Sequence, residues 1–147
     1  MVSKKSYLKI DDQICFAVYS ASLGFNKLYR EFLKEFGLTY PQYLVMLVLW
    51  ETDSLTVSEV GKRMFLNSAT LTPLLKRLEK QKLISRNRST ADEREVTITL
   101  TKAGLKMKEK AEAIPYRLFC AMKQSPEAIM ELREKLKTIR NLLLAKD

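Results

Sequence analysis

The sequence predicts a mainly α-helical fold with one small β-hairpin: a helix-turn-helix followed by a wing, flanked by long N- and C-terminal helices. Three observations predict it. Apolar residues recur at three- and four-residue steps through most of the chain. Two short amphipathic segments with a brief turn between them fill the middle, in SLTVSEVGKRMFLNSATLTPLLKRLEKQ. Only one stretch, VTITL, alternates with a period of two.

Ile10, Ile14, Ala17, Ala21, Phe25, Leu28, Phe32 and Phe36 form one stripe of a long first helix, which Gly37 ends. In LTYPQYLVMLVLWE, Thr39 and Gln42 read as a capping box, with Pro41 tolerated in the first turn. From Tyr43 to Trp50 this second helix is apolar nearly all round and is expected to be buried. Thr56 and Glu59 form another capping box that opens a short helix to about Met64. Ser68 is the expected cap of the next helix, whose inward stripe is Leu71, Leu74, Leu75 and Leu78. Pro73 then falls inside the helix, where it removes a backbone hydrogen bond or shifts the true start. Leu83 to Arg86 can pair with Val96, Ile98 and Leu100 across the polar tip NRSTADERE, which makes the wing. Thr101 caps a helix running through LKMKEKAEAIPYRLFCAMKQ, kinked at Pro115. Ser125-Pro126 opens the last helix, with the stripe Ile129, Leu132, Leu136, Ile139 and Leu143.

The expectation is one domain over residues 1–147. Dimerisation helices occupy about 10–36 and 102–147, and the winged helix-turn-helix about 56–100. The long apolar stripes at both ends need a partner, and a second copy of the chain supplies one.

With 26 Lys and Arg against 17 Asp and Glu, the net charge is +9, which suggests a polyanionic partner such as nucleic acid. There is no histidine to act as a base or bind a metal, and two cysteines are too few for a secreted disulfide framework. The N-terminal MVSKKSYLKIDD does not resemble a signal peptide. The longest apolar run, YLVMLVLW, has eight residues, against the ~20 a membrane span needs. A cytoplasmic protein without cofactor or membrane contact is expected, its thiols reduced until an oxidant arrives.

Each candidate residue has a bland alternative. Cys15 is a small buried hydrophobe or, capped by Asp11 or Asp12 in the first turn of its helix, a reactive thiol. Tyr29 and Tyr40 are interface packing or hydrogen-bond donors. Ser68, Thr70, Thr72, Pro73, Lys76 and Arg77 are a solvated helix face or the part of a recognition helix that meets bases and phosphates. Arg94 is half of a surface ion pair or enters a minor groove with its guanidinium oriented by Asp92. Arg86 and Arg88 are secondary phosphate candidates. Cys120, in LFCAM, is core packing or a second thiol.

The order of elements, and above all RSTADEREVTITLTKAG, resembles the MarR family of dimeric bacterial regulators. Asp92, Arg94, Val96, Ile98, Leu100, Thr101 and Gly104 carry that wing pattern. QICFAVYSAS, LTYPQYLVMLVLWE and SATLTPLLKRLE resemble the organic-hydroperoxide-sensing, OhrR-type branch. The resemblance implies that Cys15 is the peroxide-reactive thiol and that Tyr29 and Tyr40 of the other subunit hydrogen-bond to it. It also places Cys120 as the second cysteine of a subgroup that forms an intersubunit disulfide. The implied function is a homodimeric repressor that binds a pseudo-palindromic operator in double-stranded DNA and releases it on oxidation by an organic hydroperoxide. The alternatives are a MarR-type regulator responding to a small aromatic ligand or another oxidant, and a thiol peroxidase. The last would be an enzyme, which the leading reading is not.

Overall fold

The computed structural model describes residues 8–145. The N-terminal residues that bear on a signal peptide lie mostly outside them. The chain divides into two compact units, one running up to Lys108 and the other starting at Glu109.

In the first unit the predicted long N-terminal helix is interrupted. A short 3-10 turn, Ile10–Asp12, precedes α1, Ile14–Phe32, and a second 3-10 turn, Lys34–Phe36, follows it. Gly37 adopts φ +64°, the left-handed conformation that glycine tolerates, so it closes the second turn rather than α1 itself. Helix α2, Tyr40–Glu51, starts at the predicted capping box: Gln42 Oε1 accepts from the Thr39 N–H at 2.8 Å. Val45, Met46 and Leu49 are buried, as the all-round apolar run requires.

Helix α3, Val57–Met64, opens at the Thr56–Glu59 box. Helix α4, Ser68–Lys80, is capped by Asn67 rather than Ser68. The Asn67 side chain accepts the Thr70 N–H at 2.9 Å, and Ser68 is the first helical residue. Both residue types can cap, and the chain becomes helical one residue later than the cap, so the earlier of the two takes the role. Pro73 stays inside the helix. It cannot donate to the Ala69 carbonyl, and Thr72 Oγ1 bonds the carbonyl next to that one, Ser68 O, at 2.7 Å. Leu71, Leu75 and Leu78 are buried, each stabilising the unit by roughly 1.5–3 kcal/mol. Leu74, at the edge of the stripe, is half-buried.

The wing is β2, Ile84–Arg88, antiparallel to β3, Val96–Leu100, in the register Ile84↔Leu100 and Arg88↔Val96. The strand begins one residue later and ends two residues later than the sequence suggests. A two-residue strand β1, Leu55–Thr56, pairs with the other edge of β3 and was not anticipated. It is too short to show a period of its own. Gly104, in the wing pattern's Thr-x-x-Gly, lies against the Leu83 carbonyl, which an added Cβ would meet at 2.2 Å. Thr101 Oγ1 accepts the Gly104 N–H and donates to Lys82 O, so the motif locks the end of the wing to the next helix.

That helix, α5, Lys102–Ala111, does not continue through a kink. It stops, and Pro115 stands at the start of a separate α6, Ile114–Met122. Proline in the first turn costs no hydrogen bond, so beginning a helix there avoids the penalty of kinking one. In the second unit α7, Pro126–Leu144, is capped by Ser125 as expected, and no residue of it is buried.

Candidate nucleic-acid interface and thiol site

The outer face of α4 and the wing carry the residues expected to meet DNA. Ser68, Thr70, Pro73, Lys76 and Arg77 are exposed, opposite the buried leucine stripe. A groove of about 550 Å³ runs between the start of α4 and the wing. Ser68, Thr72, Arg86, Asp92 and Arg94 all line it, so residues separated by up to 26 positions meet on one surface. Thr70, Pro73, Lys76, Arg77 and Arg88 are not part of that lining.

Two expected roles change. The Asp92 carboxylate accepts the backbone N–H of Arg94 at 2.9 Å, and the Asp92 carbonyl accepts the Glu95 N–H. Ser89 Oγ accepts the N–H groups of Ala91 and Asp92. Asp92 therefore shapes the tip of the wing and aims Arg94 through its main chain, rather than by pairing with its guanidinium. A carboxylate two residues before an N–H closes a local turn more readily than it reaches a long flexible side chain. Arg86 Nε pairs with Glu79 at 2.8 Å, both side chains partly exposed, and so ties the wing to α4.

The thiol site begins with Cys15, exposed in the first turn of α1. Gln13, not Asp11 or Asp12, is the cap residue, and its side chain makes no capping hydrogen bond. The two aspartates belong to the preceding 3-10 turn, after which the chain extends at Gln13 before α1 begins. Tyr19, one turn along α1, stacks against Phe16 with ring centroids 6.4 Å apart.

Tyr29 and Tyr40 are brought together across α1 and α2. Their rings stack at 4.1 Å and 12°, with Tyr43 tilted at 5.6 Å from Tyr29. Burial pushes the Tyr29 hydroxyl well above the usual phenol range, and the neighbouring Tyr40 and Tyr43 add to it. Burial raises Tyr40 as well, and Tyr43 is raised by burial and by Tyr40. All three phenols thus stay protonated and able to donate near neutral pH. Tyr43 joins this cluster because its position three residues after Tyr40 places it on the same side of α2.

Cys120 is exposed on α6, in the second unit. Tyr116 stands one turn earlier on the same helix, and its phenol is raised, chiefly by hydrogen bonding with the neighbouring Cys120 side chain. Tyr116 is not among the residues expected from the sequence, although the four-residue spacing in YRLFC is its visible signal. No group of His, Cys, Asp or Glu among the described residues is arranged to hold a metal, and none of their helices is long and apolar enough to cross a membrane.

Comparison with known proteins agrees with this geometry. The family of SarA/Rot transcriptional regulators matches residues 27–111. The organic hydroperoxide resistance transcriptional regulator of Bacillus subtilis is 44% identical over 147 residues, all of both chains. The structure of reduced AbfR bound to DNA matches with a TM-score of 0.81 at 37% identity, covering 96% of this chain and 99% of that one. AbfR, from Staphylococcus epidermidis, is also known in a disulfide-formed state, with a TM-score of 0.66 at 40% identity over 88% of this chain and 91% of that one. With a relative of this identity along its whole length, a matching family over more than half of it, and a wing and helix-turn-helix in the expected places, the chain belongs to the MarR family of winged-helix transcriptional regulators, in the OhrR-type branch.

Proposed function

We propose that the protein is a homodimeric DNA-binding repressor that leaves a pseudo-palindromic operator when an organic hydroperoxide oxidises Cys15. The observation that carries this reading is the exposed Cys15 thiol in the first turn of α1, in a chain matched end to end by an organic hydroperoxide resistance regulator. That AbfR occurs both reduced on DNA and with a disulfide formed supports the redox switch.

The chemistry is nucleophilic displacement. The Cys15 thiolate attacks the terminal oxygen of the hydroperoxide, the O–O bond breaks, and the alkoxide leaves as an alcohol after taking a proton. Sulfur gains the oxygen as a sulfenic acid. Phenols of Tyr29 and Tyr40 from the other subunit are protonated donors suited to stabilising the thiolate. The Cys120 thiol of the other subunit then attacks the sulfenic sulfur, forming a disulfide and releasing water. On the DNA side, Lys76 and Arg77 neutralise phosphates, Ser68, Thr70 and Thr72 approach bases, and Arg94 enters the minor groove from a wing shaped by Asp92. Arg86, paired with Glu79, contributes less charge than Arg88. A turnover enzyme is disfavoured because the relatives of this chain are transcriptional regulators.

The test is release of a labelled operator by cumene hydroperoxide. Cys15→Ser is expected to bind DNA as the parent does and to lose the response. Retained response in Cys15→Ser would sink the sensor. In the parent, a non-reducing gel should show a reducible covalent dimer that is absent in Cys15→Ser and Cys120→Ser. If DNA is released while only monomers run on that gel, Cys120 is packing and the sensor uses one cysteine.

A further inference from the structure

The residues Trp50 to Asp53, at the end of α2, tie that helix to three other elements of the first unit. The Trp50 indole N–H donates to the Gly104 carbonyl in α5 at 2.9 Å, and Lys108, also in α5, donates to the Trp50 carbonyl at 3.1 Å. Glu51 pairs with Arg63 in α3, and the Thr52 hydroxyl accepts from the same guanidinium at 3.5 Å. The Asp53 carboxylate accepts the Leu100 N–H of β3 at 2.8 Å and the Ser54 N–H at 2.7 Å. β1 pairs with β3 only at Ile98 and Thr97, so it stops short of Leu100, and the Asp53 side chain takes the N–H that a longer strand would have taken. The Glu51–Arg63 pair is exposed and worth little. The Trp50 and Asp53 bonds are partly buried and are the firm joints, one to α5 and one to the wing.

The other end of α2 carries Tyr40 and Tyr43, and a file of rings runs from there to Trp50. Tyr40 stacks on Tyr29 at 4.1 Å, Tyr29 lies 5.6 Å from Tyr43, and Tyr43 meets Trp50 edge-on at 6.2 Å. Tyr43 and Trp50 stand two turns apart on one face of α2. Tyr43 is buried. Close-packed rings of this kind do not deform gradually, so a displacement of Tyr29 or Tyr40 is handed on rather than absorbed where it starts. Neither Trp50 nor Asp53 lines the groove between α4 and the wing.

We propose that α2 is the lever that carries the oxidation state of the thiol to the wing, with Trp50 and Asp53 as the positioning residues that join it to α5 and β3. The inference rests on the sensor reading, in which Tyr29 and Tyr40 hydrogen-bond to Cys15 of the other subunit. Oxidation of that sulfur removes the thiolate the two phenols hold. The tyrosines then take new positions, α2 follows them, and its two joints move α5 and β3.

The test is the ratio of operator affinity before and after cumene hydroperoxide, measured on the full chain alongside thermal unfolding. Trp50→Phe keeps a ring against Tyr43 and removes the donor to Gly104. Asp53→Ala removes the acceptor of the Leu100 N–H, and Asp53→Asn restores one. Reduced Trp50→Phe and Asp53→Ala should bind the operator within about threefold of the parent and form sulfenic acid on Cys15 at the parent's rate, while the affinity ratio falls by about tenfold. Asp53→Asn should regain most of that ratio. A merely structural role would lower stability and reduced-state affinity together and leave the ratio unchanged. Should Asp53→Ala fail to fold, Trp50→Phe decides. Trp50 is also the single tryptophan of the chain, so its emission reports on the joint directly. Hydroperoxide should shift that emission in the parent and not in Cys15→Ser. If the parent releases DNA while the folded variants keep its ratio, or while its emission stays fixed, the lever is wrong and the sensor stands. If oxidation leaves the parent's affinity unchanged, both fall.

Discussion

Helices α4 and α7 carry the same apolar period and meet opposite fates. In α4 the leucines at three- and four-residue steps are buried, with Leu75 at 1% exposure. In α7 the equivalent stripe lies open: Leu132 is 51% exposed, Leu136 39% and Leu143 67%. The N-terminal part of α1 behaves like α7, with Ile14 and Val18 exposed, whereas its C-terminal part buries Tyr29 and Phe32. A period therefore specifies that one face of a helix is apolar, but not what covers it. In α4 the cover is the same chain. In α7 and the start of α1, we propose, it is a second copy.

The comparison breaks most readily at Leu75. Leu75→Ala should lower the unfolding free energy by about 2–5 kcal/mol, read from denaturant titration, because the truncated side chain leaves a cavity in a filled core. On α7, Leu136→Glu should spare that core. Far-UV circular dichroism should stay near the parent's while sedimentation shows the dimer dissociating at concentrations at least about tenfold higher. A dimer that survives this charge would mean that the α7 stripe is not the covered face. The smallest effect comes from the caps. Asn67→Ala should cost about 1 kcal/mol of global stability, since α4 unfolds only with its unit. Ser125→Ala should cost less and should speed amide exchange only in the first turn of α7. If Ser68→Ala rather than Asn67→Ala lowers stability, the helix begins where the sequence first suggests.

Much of this was legible in the residues because its causes are local. The Thr39–Gln42 and Thr56–Glu59 boxes act within four residues, and both form. VTITL alternates, and it is a strand. Other features misled. Asn67 and Ser68 are adjacent residues of equal capping ability, and only the observed start of α4 separates them. Pro115 is compatible with a kink or a start, and the turn before it decides for a start. Asp92 and Arg94 are two residues apart, a spacing that permits a side-chain pair or a main-chain turn, and the turn forms.

The sequence alone determined the helices that flank and precede the wing, the two capping boxes, the wing, the basic excess and the candidate thiol, while the break between α5 and α6 and the exposure of Cys15 came with the structure. The former follow from spacing, side-chain chemistry and charge, which act over a few residues or add up over the whole chain. Only the tertiary structure decided that Ser68, Thr72, Arg86, Asp92 and Arg94 share one groove, that Tyr29 stacks on Tyr40, that β1 completes the sheet, and that Phe65 is held left-handed. Each of these depends on how far the chain turns between distant segments, and on which neighbour then excludes water from a face, quantities that no local pattern encodes.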